Sequence, residues 1–318
     1  MRLQACGVTS QRVPSEFKAS KQDPWYEWLI HSRHAGDPVE RRLVLGETER
    51  YADKVLAAAQ LMPGMTLADI GSGEGLIAFK AIGITGPALQ VILSDISAPL
   101  LEHPRQLAIK KGVLDQCTFL ECNAENLHGI PDASVDVVTT RAVLAYVADK
   151  KAALREFHRI LKLGGRISLA EPIMMDEARA TCVLKAAVNA EDLKDTDPFL
   201  GLMHRWKAAQ FPDTFEKLTS CPMTNFSERD LVRFAQDNGF ADIHMELHID
   251  VRPFQVSSWE LFVASAPHPL APTLEFILSN HFTNAERSKF ERILRPLIET
   301  DGLSVDDRVA YLTATRKI

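Results

Sequence analysis

The stretch Leu67-Ala68-Asp69-Ile70-Gly71-Ser72-Gly73-Glu74-Gly75 decides the reading of this chain. A short apolar run carries an acidic residue near its end and enters a glycine-rich turn. Further on, Val91-Ile92-Leu93-Ser94-Asp95-Ile96 is a second strand-like run that closes on an aspartate. Together they describe a nucleoside site at the carboxyl edge of a parallel sheet. Turn glycines let the backbone approach a ligand with no Cβ in the way, and Asp95 can accept hydrogen bonds from both ribose hydroxyls.

Glycine spacing separates the nucleoside classes. A dinucleotide fingerprint reads G-x-G-x-x-G and faces a pyrophosphate with a helix N-terminus. Here Gly71, Gly73 and Gly75 read G-x-G-x-G behind Asp69. Outward from this turn, strands are expected near 66–71, 90–96, 117–123, 135–140 and 165–171, each rich in Val, Ile or Leu. Helices are expected between them near 74–83, 97–112 and 149–162, the last stopped by Gly164-Gly165. Such alternation implies a parallel sheet covered on both faces. Residues 173–226 read as helices and loops, Ser227 caps a further helix, 242–252 alternate as an edge strand, 271–300 form a helical pair, and 308–315 a last strand.

The set resembles the class I S-adenosylmethionine-dependent methyltransferases over roughly 60–317, nearest their ubiquinone/menaquinone-type and arsenite-methyltransferase-like groups. The resemblance implies an α/β fold: a seven-stranded, mostly parallel Rossmann-like sheet with helices on both faces, a helical N-terminal lid and helical insertions. Its expected parts are an arm and lid over 1–62, a cofactor-binding core over 63–172, an insertion over the pocket at 173–226, and the sheet's end with an inserted helical pair over 227–318. The implied cofactor is S-adenosyl-L-methionine. Asp69, Gly71, Gly73 and Gly75 match the family's first motif, against the methionine part of the cofactor. Asp95 matches the ribose-binding acid, with Ser97 and Ala98 flanking the adenine and Ile96 among the cofactor-binding residues. Asn123-Ala124-Glu125 stands where the family has Asp-Ala-x; either the Asn123 amide oxygen or Glu125 could take the adenine amino group.

Several residues are candidates for chemistry. Tyr26, between Trp25 and Trp28, could face the sulfonium through a cation–π contact or simply anchor the lid by packing. Arg33 could meet the cofactor carboxylate or a surface acid. Arg141 interrupts an apolar run and needs a partner if buried: a cofactor or substrate carboxylate, or a structural acid such as Asp69 or Asp136. Tyr146 flanks the same edge, and Glu171 ends strand five there as a base or an amine-binding acid. His204, Arg205 and Trp206 are substrate-contact candidates in the insertion, whereas His244 and His248 are expected to face solvent. No metal-ligand spacing is present.

Composition narrows the partners. With 318 residues, 25% charged, and a formal charge of -6, the chain suits a soluble fold and lacks the basic excess of a general nucleic-acid surface. No apolar run approaches the roughly 20 residues that span a bilayer, and the start lacks the apolar stretch of a signal peptide. The expectation is a cytoplasmic protein acting on a small molecule, without nucleic-acid or membrane partners, in which 271–300 could support a homodimer. Its five cysteines (Cys6, Cys117, Cys122, Cys182, Cys221) contain no C-x-x-C pair and read as reduced thiols. Three functions compete: in-line methyl transfer to a small acceptor, cyclisation of S-adenosylmethionine itself as in azetidine-2-carboxylate synthases, and non-catalytic binding of the nucleoside.

Overall fold

The computed structural model describes residues 23–190, 198–254, 256, 258–300 and 302–317. In chain order, α1 (Pro24–Glu27) runs into a π-helical turn (Trp28–Ser32), then α2 (Pro38–Ala59), β1 (Thr66–Ile70), α3 (Leu76–Thr85), β2 (Gln90–Asp95), α4 (Ala98–Lys111), β3 (Cys117–Glu121), β4 (Val135–Arg141), α5 (Lys150–Ile160) and β5 (Leu161–Pro172). The second half contains α6 (Met175–Asn189), α7 (Pro198–Gln210), α8 (Phe215–Ser220), α9 (Glu228–Asp237), β6 (Phe240–Pro253), α10 (Trp259–Ala264), α11 (Leu274–His281), α12 (Asn284–Glu299) and β7 (Ser304–Arg316).

The strands form a seven-stranded sheet in the order β3-β2-β1-β4-β5-β7-β6. From β3 to β5 every pairing is parallel, and β7 runs antiparallel to β5. This is the Rossmann-like, mostly parallel architecture that the glycine turn implied. Chain order reverses between β1 and β4, so a crevice opens at their carboxyl ends.

Local chemistry starts the helices. Ser97 accepts from Leu100 N to begin α4, Asp149 from Ala152 N to begin α5, and Ser227 with Asp230 forms a capping box on α9. Two compact units result. The sheet unit comprises Leu45–Ile173, Phe226–Ile249 and the chain from Arg308; a helical unit gathers residues through Val44, Met174–Asn225 and Asp250–Asp307. In the sheet unit, Leu67, Val91, Leu93 and Val137 pack with Ala52, Val55 and Leu56 of α2 and Ile77 and Ala78 of α3. Ser168 Oγ donates to Val55 O at 2.8 Å, tying β5 to α2. In the helical unit, Trp206, Trp259, Phe262, Ile277, Phe290 and Ile298 make the centre of a separate core. Among the described residues no helix is long and apolar enough to cross a membrane.

Two expectations are corrected. α5 ends at Ile160, ahead of Gly164-Gly165, because Leu161 already pairs with Val135 in the ladder. The glycines instead serve an irregularity in β5, where register with β4 shifts between Val135 and Val137. Cys117, Cys122 and Cys182 are free thiols, but Cys221 is disulfide-bonded. Cys6 lies outside the described residues. Pairing depends on proximity in space, which spacing along the chain does not reveal.

The irregularity is tightly built: a Cβ on Gly165 would lie 2.9 Å from both Asp136 O and Lys162 O. Gly165→Ala therefore forces backbone apart and should cost about 1–3 kcal/mol. Urea unfolding at fixed pH measures this; an unchanged midpoint would show that the strand absorbs the methyl group.

Candidate functional site

The site assembles where β1, β2, β4 and β5 end. After β1 the chain turns through Gly71, Gly73 and Gly75, all with positive φ (65°, 52° and 81°). Ser72 N donates to Ser94 O at 2.9 Å and Gly75 N to Ser72 O at 2.8 Å, which closes the turn against β2. The Asp95 carboxylate completes it: Oδ2 accepts from Gly73 N at 2.9 Å and Oδ1 from Ser97 N at 3.0 Å. Asp95 thus holds the glycine turn and starts α4 while standing at the edge expected to meet a ribose. Next to it, Ile96 is 48% exposed, an apolar surface at the mouth of the turn, whereas Ser97 is fully buried as the helix cap.

Gly71 is demanded by the protein itself. A Cβ there would come within 2.4 Å of Val143 Cγ2, so the turn and the loop after β4 touch through the missing side chain. That loop is held from β5. Glu171, with no exposed surface, accepts from Thr140 Oγ1 at 2.6 Å and from Val143 N at 2.9 Å. The longer contact with Ala145 N is 3.4 Å. These bonds bracket Ala142, which has a left-handed φ of 56°, a conformation that a non-glycine residue keeps only when its surroundings enforce it. Both Glu171 oxygens are therefore engaged in shaping the loop that carries Arg141 and Tyr146.

On β1, Asp69 pairs in register with Thr139 of β4 and accepts from its Oγ1 at 2.9 Å. Strand alternation puts Arg141 on the face of Asp69 and Thr139, and Glu171 with Thr140 on the other. Asp69 Oδ2 is buried without a hydrogen-bond partner. Burial pushes the Asp69 carboxyl up to about 7, opposed by Thr139 and Arg141. Burial likewise raises Glu171 to about 7 against its hydrogen bonds. The Arg141 guanidinium is lowered from its ordinary range by burial, while Asp69, Glu171, Tyr146 and Glu74 favour its charge. Among the described residues no hydrogen bond or ion pair occupies its donors.

At β3, Asn123 and Glu125 form a small closed system. Asn123 Oδ1 accepts from Glu125 N at 3.0 Å, Asn123 Nδ2 donates to Glu125 Oε2 at 3.2 Å, and Glu125 Oε1 accepts from Asp149 N at 2.6 Å. Ala124 is buried. Tyr26 belongs to the helical unit, its ring edge-on to His31 at 6.1 Å; Arg33 lies over the Trp28 ring at 5.1 Å.

The insertion candidates are corrected. Trp206 is a core residue between Phe262 and Phe290. Arg205 pairs with Glu286 at 2.5 Å and covers Phe282. His204 lies 3.4 Å from Asp213, a carboxylate that Lys185 and Lys217 hold down at about 2 against its partial burial. A lone run of polar and aromatic letters gave no sign that the helix turns each toward the protein. Of the two strand-six histidines, His244 is exposed, but His248 lies edge-on to Tyr311 at 4.9 Å. Thr139, Thr140 and Val143 escaped the sequence reading; the available signal was two hydroxyls on adjacent positions of an otherwise apolar strand. Lys150 also escaped: it is buried, donates to Val147 O at 3.0 Å, lies over Phe226 at 4.5 Å, and burial lowers its ammonium to about 8. Among the described residues no group of three or more His, Cys, Asp or Glu side chains is placed to hold a metal ion.

A glycine turn at the β1–β2 edge, closed by the acid that ends β2, is matched by a known family over residues 61–239, described as a methyltransferase domain. The chain belongs to the methyltransferase-domain family. Among curated proteins it is 39% identical over 127 residues to the ubiquinone/menaquinone biosynthesis C-methyltransferase UbiE of Xanthomonas campestris, covering 40% of this chain and 50% of that protein. It is 32% identical over 162 residues to UbiE of Cellvibrio japonicus, covering 51% and 63%. The chain thus spans about half the length of the first of these relatives. The YcgJ protein of Bacillus subtilis shares the fold with a TM-score of 0.53 at 18% identity, over 85% of this chain and 99% of that one. The matched segment of this methyltransferase-domain protein contains every site residue of the sheet edge from Asp69 to Glu171.

Two outcomes follow from this geometry. Asp95→Ala removes the acceptor at the β2 edge and should weaken S-adenosylmethionine binding by about tenfold or more, equal to about 1.4 kcal/mol; calorimetry on a variant of native circular dichroism measures it, and unchanged affinity would refute the ribose assignment. Second, a carboxyl raised by folding binds its proton more tightly in the folded state. Stability then falls as pH rises from the unfolded value near 4 to about 7, the value that burial gives Asp69 and Glu171. Asp69→Asn should flatten part of this fall in urea titrations across that window.

Proposed function

We propose that this protein transfers the methyl group of S-adenosylmethionine to a small-molecule acceptor. The observation that carries the reading is Asp69 Oδ2, buried without a hydrogen-bond partner where the glycine turn begins, with the positive charge of Arg141 near it. A buried acceptor left without a donor is costly. An amino acid's ammonium and carboxylate offer the complementary pair, and the methionyl end of S-adenosylmethionine has both. The nucleoside end fits the same edge: Asp95 ends β2 beside the glycine turn, and exposed Ile96 offers an apolar wall for a base. When bound, the group supplies a methyl on a sulfonium, open to in-line attack.

The residues of this chain would bind and orient. Asp69 and Arg141 hold the amino-acid end, Glu171 through Thr140 and Val143 keeps the loop after β4 in place, and Asp95 fixes the nucleoside. Holding donor and acceptor in near-attack geometry is the larger part of catalysis for such a displacement. Tyr146, on the Arg141 loop, is the candidate to face the reacting centre. Glu171 acts through the loop, since its oxygens are already engaged. The small-molecule class draws support from the curated relatives, whose names specify C-methylation in quinone biosynthesis, and from a formal charge of -6, unsuited to nucleic acid.

Mass spectrometry of the full chain incubated with S-adenosylmethionine and a panel of small acceptors tests this. S-adenosylhomocysteine should form only with an acceptor present, and Arg141→Ala should reduce turnover at least about tenfold, with loss of binding as a second readout. Methylthioadenosine and a four-membered-ring amino acid from S-adenosylmethionine alone would instead make the nucleoside itself the substrate. Binding without either product across the panel would favour a non-catalytic role.

A further inference from the structure

β6 is the last strand of the sheet, and among the described residues no strand pairs with its outer edge. Its regular part is bounded by Asp242, with a left-handed φ of 49°, and by Pro253. Between them, Ile243, Met245, Leu247, Ile249 and Val251 alternate with His244, Glu246, His248 and Asp250. Leu247, Ile249 and Val251 are 39%, 54% and 70% exposed. Natural edge strands are usually blunted by lysine, proline or a bulge. This run has no lysine or proline before Pro253, and its apolar side chains meet water along one face.

We propose that β6 pairs antiparallel with β6 of a second copy of this chain, about a two-fold axis at Leu247. Charge pattern selects the occupant, and charge pattern with the strand's bounds selects the register. An antiparallel pair centred on Leu247 sets Glu246 opposite His248 of the other copy and His244 opposite Asp250, twice each by symmetry. On the other face it sets Leu247 opposite itself, Met245 opposite Ile249 and Ile243 opposite Val251. All five apolar and all four polar positions between the kink and the proline then find a complementary partner. Centring on Glu246 would oppose two like carboxylates, and centring on His248 would set Glu246 against Asp250. Centring on Met245 or on Ile249 keeps charge complementarity but runs past the Asp242 kink or past Pro253, leaving Asp250 and Val251, or Ile243 and His244, without partners. The Glu246 carboxylate is already ordered by Lys54 at 2.8 Å and His248 at 3.1 Å of its own copy, so its position costs little further entropy to use. The interface lies on the margin opposite β3, and it does not depend on which reaction the protein performs.

Sedimentation equilibrium on the full chain, with calorimetric S-adenosylmethionine binding as the control for folding, tests the pairing. A dimer is expected. Leu247→Lys, which brings two like charges to the axis, should raise its dissociation constant at least about tenfold with nucleoside affinity unchanged. Leu247→Cys should cross-link to its own copy under mild oxidation, since paired strand residues lie within disulfide reach, and Met245→Cys should not. A monomeric wild type, or a dimer indifferent to Leu247→Lys that fails to cross-link at 247, would overturn the proposal. Cross-linking at 245 in place of 247 would overturn the register.

Discussion

Asp69 and Glu171 end β1 and β5 out of contact with water, and the site depends on how the fold satisfies them. Thr139 and Thr140, adjacent on β4, point to opposite faces and serve one carboxylate each. Glu171 spends its remaining capacity on the backbone of the loop after β4, and that loop in turn presses Val143 into the space where Gly71 lacks a side chain. Glycine turn, strand-four loop and strand-five carboxylate are therefore one mechanical unit. Arg141 ends β4 at the start of that loop.

Burial raises both acids to about 7 and lowers Arg141 from its ordinary range, while the charges of Asp69 and Glu171 favour the guanidinium. Under the proposed function, a bound ammonium beside Asp69 and a bound carboxylate beside Arg141 would favour the charged forms. Asp95, by contrast, already uses backbone donors from the turn and from the start of α4. It is held in place by the protein's own backbone.

The helical unit illustrates the limit of reading side chains one at a time. Arg205 and Trp206 have the chemistry of a binding site but serve an ion pair with Glu286 and an aromatic core, and His204 stands beside Asp213. Nothing in their order distinguishes an indole that faces a ligand from one that faces Phe262 and Phe290. The reverse holds at β6, where the alternation of charge and apolar bulk is plain in the letters. Its meaning emerges only when the topology makes that strand the margin of the sheet.

The glycine spacing behind Asp69, the acid closing β2 and the strand–helix rhythm determined the fold and the family from sequence alone, because each is a local requirement: positive φ at Gly71, Gly73 and Gly75, a cap at Ser97, apolar runs buried on both faces. Tertiary structure decided the rest. Whether Gly164-Gly165 ended a helix depended on Leu161 finding Val135 across the sheet. Whether Cys221 stayed a thiol depended on a spatial neighbour. Whether Glu171 was free to react depended on Thr140 and the amides of Val143 and Ala145, roughly thirty residues away in sequence. Hydrogen bonds and contacts between distant segments carry no signature in either segment, and so the site's residues were visible in the sequence while their division between holding the fold and holding a ligand was not.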